Sequence, residues 1–310
     1  MSNEVSVREV GLRDGLQLVK SMISTEVKLQ WIREQAACGF REIEVTSFVP
    51  PKVIPQFADA ADVLQGSLKI PGMRAGVLVP NLKGAIRALD NDAQKINFVI
   101  SASEAHNKAN VKRTVDESVA EFTRLVEERD ARGLKGVVEL NAGIATAFGC
   151  TIQGEVPEKD VFALAERLER AGADEMNVAD TVGYASPMQV KRILSEIGKR
   201  VAIPLVAHFH DTRGMGLANV VAALEAGVRR FDSALGGTGG CPFAPGASGN
   251  IATEDCIYLL QSSGFKTGVN LDALLALRSK LPVWLPGETL NGCIGRAGVA
   301  KNFEPSEMTS

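Results

Sequence analysis

His208 and His210 are two of only three histidines in this 310-residue chain, and they stand at i and i+2. The run before them, residues 203–207 (Ile-Pro-Leu-Val-Ala), is short, apolar and partly β-branched, so it reads as a buried strand. Alternate side chains of a strand share a face, and both imidazoles therefore project together at the strand's C-terminal end. Two neutral imidazoles converging on one point suit a divalent metal. An HxH pair by itself suits pocket histidines bonded to backbone equally well, and the choice rests on where the carboxylates and amides fall.

The elements that must position them alternate along the chain. Strand patterns occupy residues 5–10, 40–45, 73–79, 96–100, 136–140, 175–178, 203–207 and 230–235. Amphipathic helix patterns lie between them at 27–37, 57–64, 82–89, 115–132, 161–171, 188–197 and 217–226, with further helices at 253–263 and 271–281. One strand and one helix per roughly thirty residues is the βαβ unit. Eight such units predict an α/β fold of the closed (β/α)8 TIM-barrel type with additional C-terminal helices. An open doubly wound sheet is disfavoured, because no Gly-x-Gly-x-x-Gly turn joins an early strand to a helix. We expect one catalytic domain over residues 1–310, with 271–310 as a C-terminal helical extension packed on the barrel.

The unusual polar residues fall just after strands. Arg13 and Asp14 follow the first, Glu44 and Ser47 the second, and Ser103 and Glu104 the fourth. Asp180 follows the sixth, His208 and His210 the seventh, and Cys241 and Asn250 the eighth. In a (β/α)8 barrel those ends meet on one face, where active sites are built. Asp14, His208, His210 and Asn250 then make a mixed N/O set for a divalent cation. An oxygen-rich, open site suits Mg2+ or Mn2+ acting as a Lewis acid better than a closed structural zinc. The glycine-rich loop 236–250 reads as a mobile lid carrying Cys241, in preference to a plain connector or a phosphate cradle, since the Lys-Ser/Thr of a P-loop is missing. Asp180 or a histidine is the candidate general base.

A net charge of −3 with scattered basic residues points to no nucleic-acid partner, and no run is long and apolar enough to span a bilayer. Cys38, Cys150, Cys241, Cys256 and Cys293 are odd in number and far apart. They fit reduced thiols, and with no signal-peptide pattern at residues 1–4 a cytoplasmic location is expected. Cys38 and Cys256, on helices, read as buried filler.

Residues 9–17 (Glu-Val-Gly-Leu-Arg-Asp-Gly-Leu-Gln), 44–49 (Glu-Val-Thr-Ser-Phe-Val), 80–84 (Pro-Asn-Leu-Lys-Gly), His208 to Asp211 and the long run 239–255 closely resemble 3-hydroxy-3-methylglutaryl-CoA lyases, a metal-dependent barrel family, up to about residue 270. The resemblance implies metal ligation by Asp14, His208, His210 and Asn250. It implies Arg13 at the substrate thioester, Cys241 as the catalytic lid cysteine and Lys20 near the CoA phosphates, with Gln17 and Ser47 as further substrate contacts. Glu44 is a partner for Arg13 or a rim salt bridge. The implied reaction is retro-Claisen cleavage of a 3-hydroxy-3-alkylglutaryl-CoA to acetyl-CoA and a 3-oxo acid such as acetoacetate. A homodimer is expected by analogy.

The chain departs from that pattern at Leu12, where proline is usual, and at Arg213 and Met215, where tyrosine and glutamine are usual. Arg213 is expected near the metal-binding strand, facing an extra carboxylate or solvent. Residues 276–303 do not follow the usual C-terminal pattern. These departures leave the metal chemistry intact and open the acyl group to a longer or differently substituted 3-hydroxyacyl-CoA. A Claisen synthase or pyruvate aldolase of the same barrel type, and an inactive CoA- or metal-binding barrel, are the competing readings.

Overall fold

The computed structural model describes residues 3–240 and 249–304. Eight parallel strands close in chain order into one barrel: β1 (Ser6–Glu9), β2 (Glu42–Ser47), β3 (Arg74–Val79), β4 (Lys95–Ser101), β5 (Glu139–Ala145), β6 (Glu175–Asp180), β7 (Leu205–Phe209) and β8 (Arg230–Ser233). Outside them lie α1 (Thr25–Ala37), α2 (Ala60–Ser67), α3 (Leu82–Leu89), α4 (Glu104–Val111), α5 (Val115–Ala131), α6 (Glu158–Arg170), α7 (Pro187–Arg200), α8 (Gly216–Glu225) and α9 (Thr253–Ser262). The expected (β/α)8 barrel is therefore observed. Helix starts are set by side chains that satisfy otherwise orphaned N–H groups. Ser24, Asn81, Ser103 and Asn270 accept from the first turns of their helices, and Thr114 with Glu117 forms a reciprocal capping box. Among the described residues no helix is long and apolar enough to cross a membrane.

The additional C-terminal helices are α10 (Leu271–Arg278), α11 (Leu281–Trp284) and α12 (Ile294–Ala297). They fold back on the barrel: the Trp284 ring lies 5.8 Å from that of Trp31, and Asn291 N–H donates to the Gly236 carbonyl at the end of β8.

Two elements differ from the pattern reading. The fifth strand runs Glu139–Ala145 rather than 136–140, because the small residues Ala142, Gly143 and Ala145 carry a weak strand signal while Val137 stands exposed before it. Residues 104–111, to which the pattern assigns no element, form α4 behind its Ser103 cap.

The inside of the barrel is polar. Alternate positions of the strands supply Arg8, Glu42, Glu44, Lys95, Asn97, Glu139, Asn141, Glu175, Asn177, Arg230 and Asp232, while the apolar core sits between strands and helices. Lys95, fully buried, has its Nζ 2.7 Å from Glu42, 2.8 Å from Glu139 and 2.5 Å from Glu175. Arg74 pairs with Glu139 and Arg230 with Glu175 at the same end.

Candidate active site

Strand β1 does not run on into a loop of ordinary geometry. Val10 O accepts from the N–H groups of Arg13 (3.0 Å), Asp14 (2.7 Å) and Gly15 (3.3 Å), which winds Gly11–Gly15 into a single π turn. That turn carries both consecutive side chains, Arg13 and Asp14, to the barrel mouth. On the other side, β7 delivers His208 and, one alternation later, His210. The chain returning from the glycine-rich loop lies antiparallel to the end of β7, with Asn250 bridged to His210. Gly239, at φ +102°, permits this approach: a β-carbon there would come 2.6 Å from Asn250 Nδ2 and 3.0 Å from the Asp14 carbonyl.

These residues converge. Ligand atoms of Asp14, His208 and His210 all lie within 4.8 Å of one another, buried. Asp14 Oδ2 is 3.6 Å from His210 Nε2 and 4.0 Å from His208 Nε2, and it accepts from Asn250 Nδ2 at 2.7 Å. Asn250 Oδ1 and His210 Nδ1 are buried with no hydrogen-bond partner among the described residues. A carboxylate and two imidazoles that crowd together, with a buried amide oxygen left over, fit a divalent cation of borderline-to-hard character. Burial alone would raise the Asp14 pKa, but the Arg13 guanidinium and the two imidazoles outweigh it and hold the carboxyl well below the usual range. It is therefore an anion throughout the neutral range.

Arg13 is pinned from two sides. Its Nη1 lies 2.7 Å from Asp14 Oδ1 and its Nε 2.5 Å from Glu44 Oε2. Glu44 is thus a buried partner of Arg13, not a rim salt bridge. His208 is oriented by Asp232, whose Oδ2 is 3.0 Å from Nδ1, leaving Nε2 toward Asp14. Asp232 is gripped by Arg8 through two parallel bonds of 2.8 Å and by Asn177 at 2.6 Å.

A cavity of about 420 Å³ opens over this group. Arg13, Asp14, Gln17, Glu44, His208 and His210 all line it. Val49, Pro50, Val53 and Ile54 form an apolar flank, and Lys112 and Arg113 a basic rim.

Other sequence candidates lie elsewhere. Asp180 does not face the cavity: Ala179 and Thr181, its neighbours in the alternation, do, and its two oxygens accept from the backbone N–H groups of Tyr184 (2.8 Å) and Ala185 (3.0 Å). Desolvation raises its pKa, but its geometry holds the β6–α7 loop and does not suit a general base. Ser47 Oγ donates to Leu78 O (3.2 Å) and accepts from Val49 N–H (3.2 Å), bracing the flank instead of reaching the cavity. Lys20 is exposed and is not among the residues that line the cavity; its backbone N–H donates to Glu288. Among the described residues Arg213 meets no carboxylate. It stacks on the Tyr184 ring at 4.4 Å and donates to the carbonyls of Val182 and Gly183. Cys241 lies outside the described residues, although Gly240 next to it lines the cavity. Cys38 and Cys256 are buried, and burial pushes their thiols up to about 11 and about 12, so both are inert.

Reading only strand ends missed Arg8, Asn97, Asn141, Asn177 and Asp232, which sit inside strands. Their signal was available as polar residues at period two within otherwise apolar strands.

Similarity to known proteins agrees with this geometry. A family model described as HMGL-like matches residues 4–281. The chain is 40% identical over 292 residues to hydroxymethylglutaryl-CoA lyase YngG of Bacillus subtilis, covering 93% of this chain and 96% of that one. It is 39% identical over 273 residues to the mitochondrial hydroxymethylglutaryl-CoA lyase of Bos taurus, covering 88% and 83%. Among solved structures, an HMG-CoA lyase from Acenitobacter baumannii in complex with coenzyme A and 3-methylmalate superimposes with a TM-score of 0.91 at 43% identity, covering 98% of both chains. The carboxyl transferase domain of Rhizobium etli pyruvate carboxylase shares the fold, with a TM-score of 0.72 at 17% identity over 91% of this chain and 47% of that one.

Proposed function

The chain belongs to the HMGL-like family, and from that premise we propose that it is a metal-dependent carbon–carbon lyase. Its substrate is 3-hydroxy-3-methylglutaryl-CoA or a close 3-hydroxyacyl-CoA, and its products are acetyl-CoA and acetoacetate or the matching 3-oxo acid. The observation that carries this is the convergence of Asp14, His208 and His210 within 4.8 Å beside a guanidinium pinned 2.7 Å from Asp14. Asp14, His208, His210 and Asn250 would hold the ion, Mg2+ or Mn2+. The ion supplies Lewis acidity that makes the tertiary hydroxyl a better proton donor.

The rest of the work falls to the chain. A proton leaves the hydroxyl on C3. Asp180 is taken up by its loop and both imidazoles face the ion site through Nε2, so the proton passes to water in the open cavity. The C2–C3 bond then breaks, C3 becomes a ketone, and the electron pair remains on the thioester fragment as an enolate. Arg13, permanently charged and fixed by Glu44, offers N–H groups where that negative charge develops. Cys241 delivers a proton to the enolate carbon and releases acetyl-CoA. Gln17 lines the cavity as a substrate contact, and the exposed Lys20 is the proposed partner of a CoA phosphate. Residues 1–310 act as one catalytic unit, in the cytoplasm, as a homodimer.

The test is incubation with 3-hydroxy-3-methylglutaryl-CoA with and without Mg2+ or Mn2+. We expect metal-dependent release of acetyl-CoA and acetoacetate in equal amounts. No cleavage, with condensation from acetyl-CoA or aldol chemistry on pyruvate instead, would replace the lyase by the synthase or aldolase reading.

A further inference from the structure

Asn97, Asn141 and Asn177 lie on the adjacent strands β4, β5 and β6, face inward and line the cavity. Their amide orientations are dictated by the ionic groups around them. Glu44 as an anion can only accept, so its Oε1, 2.6 Å from Asn97, fixes the NH2 end of that amide. Asn97 Oδ1 then accepts from Arg8 at 3.3 Å and from Asn141 Nδ2 at 2.9 Å. One N–H of Asn141 is thereby taken, and its Oδ1 remains, on a side chain 2% exposed, with no partner among the described residues. Asn177 is fixed the same way, with Nδ2 donating to Asp232 at 2.6 Å. The amide oxygen on β5 is therefore an acceptor left without a donor, on a residue that lines the cavity. One inward step above Asn141 comes Gly143, which lines the cavity and fills none of it.

We propose that Asn141, Asn177 and Gly143 form the pocket for the substituent on C3 of the acyl chain, and that this pocket selects a substituent larger than methyl that carries a hydroxyl. The inference rests on the lyase reading. In that reading C3 bears four groups. The hydroxyl belongs to the metal ligands, and the thioester arm to Arg13. The carboxylate arm is acceptor-only and is repelled by acceptor oxygens. The remaining substituent falls to the amide pocket, where room and an unpaired acceptor favour a donor.

The experiment compares three CoA esters with the Mn2+-loaded protein: 3-methyl-, 3-ethyl- and 3-(hydroxymethyl)-3-hydroxyglutaryl-CoA. Ethyl and hydroxymethyl have nearly the same volume and differ in the donor. We expect kcat/KM for hydroxymethyl to exceed that for ethyl by at least about 10-fold, since a buried acceptor left unpaired penalises the apolar analogue. Asn141→Leu should bring that ratio to about 1. Gly143→Ala should lower kcat/KM for both larger esters about 10-fold more than for the methyl ester. Equal use of ethyl and hydroxymethyl by the wild type, or an unchanged ratio in Asn141→Leu, overturns the proposal. If Asn141→Leu does not fold, the wild-type ratio and Gly143→Ala decide it. If no ester is cleaved, the lyase reading fails by itself. The same ratio, read as dissociation constants by calorimetry, then decides the pocket.

Discussion

The two ends of the barrel interior hold similar residue types in opposite conditions. At the N-terminal end, Lys95 meets Glu42, Glu139 and Glu175, and Arg74 and Arg230 close the set, so each of these charges has its counter-charge. At the mouth, Asp14 and two imidazoles crowd together while Asn250 Oδ1 and His210 Nδ1 lack partners. In the first arrangement even Glu139 Oε1, which makes no hydrogen bond among the described residues, lies 2.8 Å from the Lys95 cation. The second is satisfied only by something added to it. Polar residues inside a barrel are thus not evidence of a site in themselves; unsatisfied ones are.

The contrast can be broken from either end, and four substitutions rank its consequences. Lys95→Met takes a shared, fully buried cation from the buried Glu175 and from the half-buried Glu42 and Glu139. It should cost about 3–5 kcal/mol of stability, measured by urea unfolding, with turnover per folded molecule kept. Arg13→Gln should do the reverse. We expect an unchanged unfolding midpoint and metal affinity, and a loss of about 100- to 1000-fold in kcat. Asp232→Asn connects the two ends. Without its carboxylate, His208 loses its orienting partner, and metal affinity should fall about 10- to 100-fold by calorimetry.

The Asp232 variant also carries a pH signature. Burial opposes ionisation of Asp232, but Arg8 and His208 outweigh it and hold its pKa well below the usual carboxylate range. A depressed carboxylate contributes stability that is fully present above its unfolded pKa, near the usual 3.8, and is lost as pH falls toward the folded value. The wild type should therefore lose stability more steeply than Asp232→Asn as pH falls below about 4, read from urea midpoints at pH 5 and 3. Lys280→Ala marks the small end of the scale. Its pair with Glu34, at 2.7 Å, ties α10–α11 to α1 on the surface. Its removal should shift Tm by less than about 2 °C.

Much of this arrangement was legible from residue order. Strand and helix periodicity alone gives the eight-unit barrel, and the rule that strand ends meet on one face gathers Asp14, His208, His210 and Asn250. What escaped was set by direction, not by position along the chain. Asp180 is the last residue of β6, and its parity turns it from the cavity to the Tyr184 and Ala185 N–H groups. Ser47 is the last residue of β2 and, past the register shift between Glu44 and Thr46, bonds the neighbouring Leu78 carbonyl. Arg13 and Asp14 face the mouth together only because a π turn breaks the alternation that would have separated them. The amides of β4–β6 were passed over because polar residues within strands do not stand out until the barrel closes around them.

The central claim is that residues far apart in sequence hold one cation at one mouth. Titration of metal-stripped protein with Mn2+, followed by electron paramagnetic resonance, tests it most directly. One ion per chain is expected, with affinity at least about 100-fold weaker in His210→Ala. Binding to His210→Ala as tight as to the wild type would contradict the account.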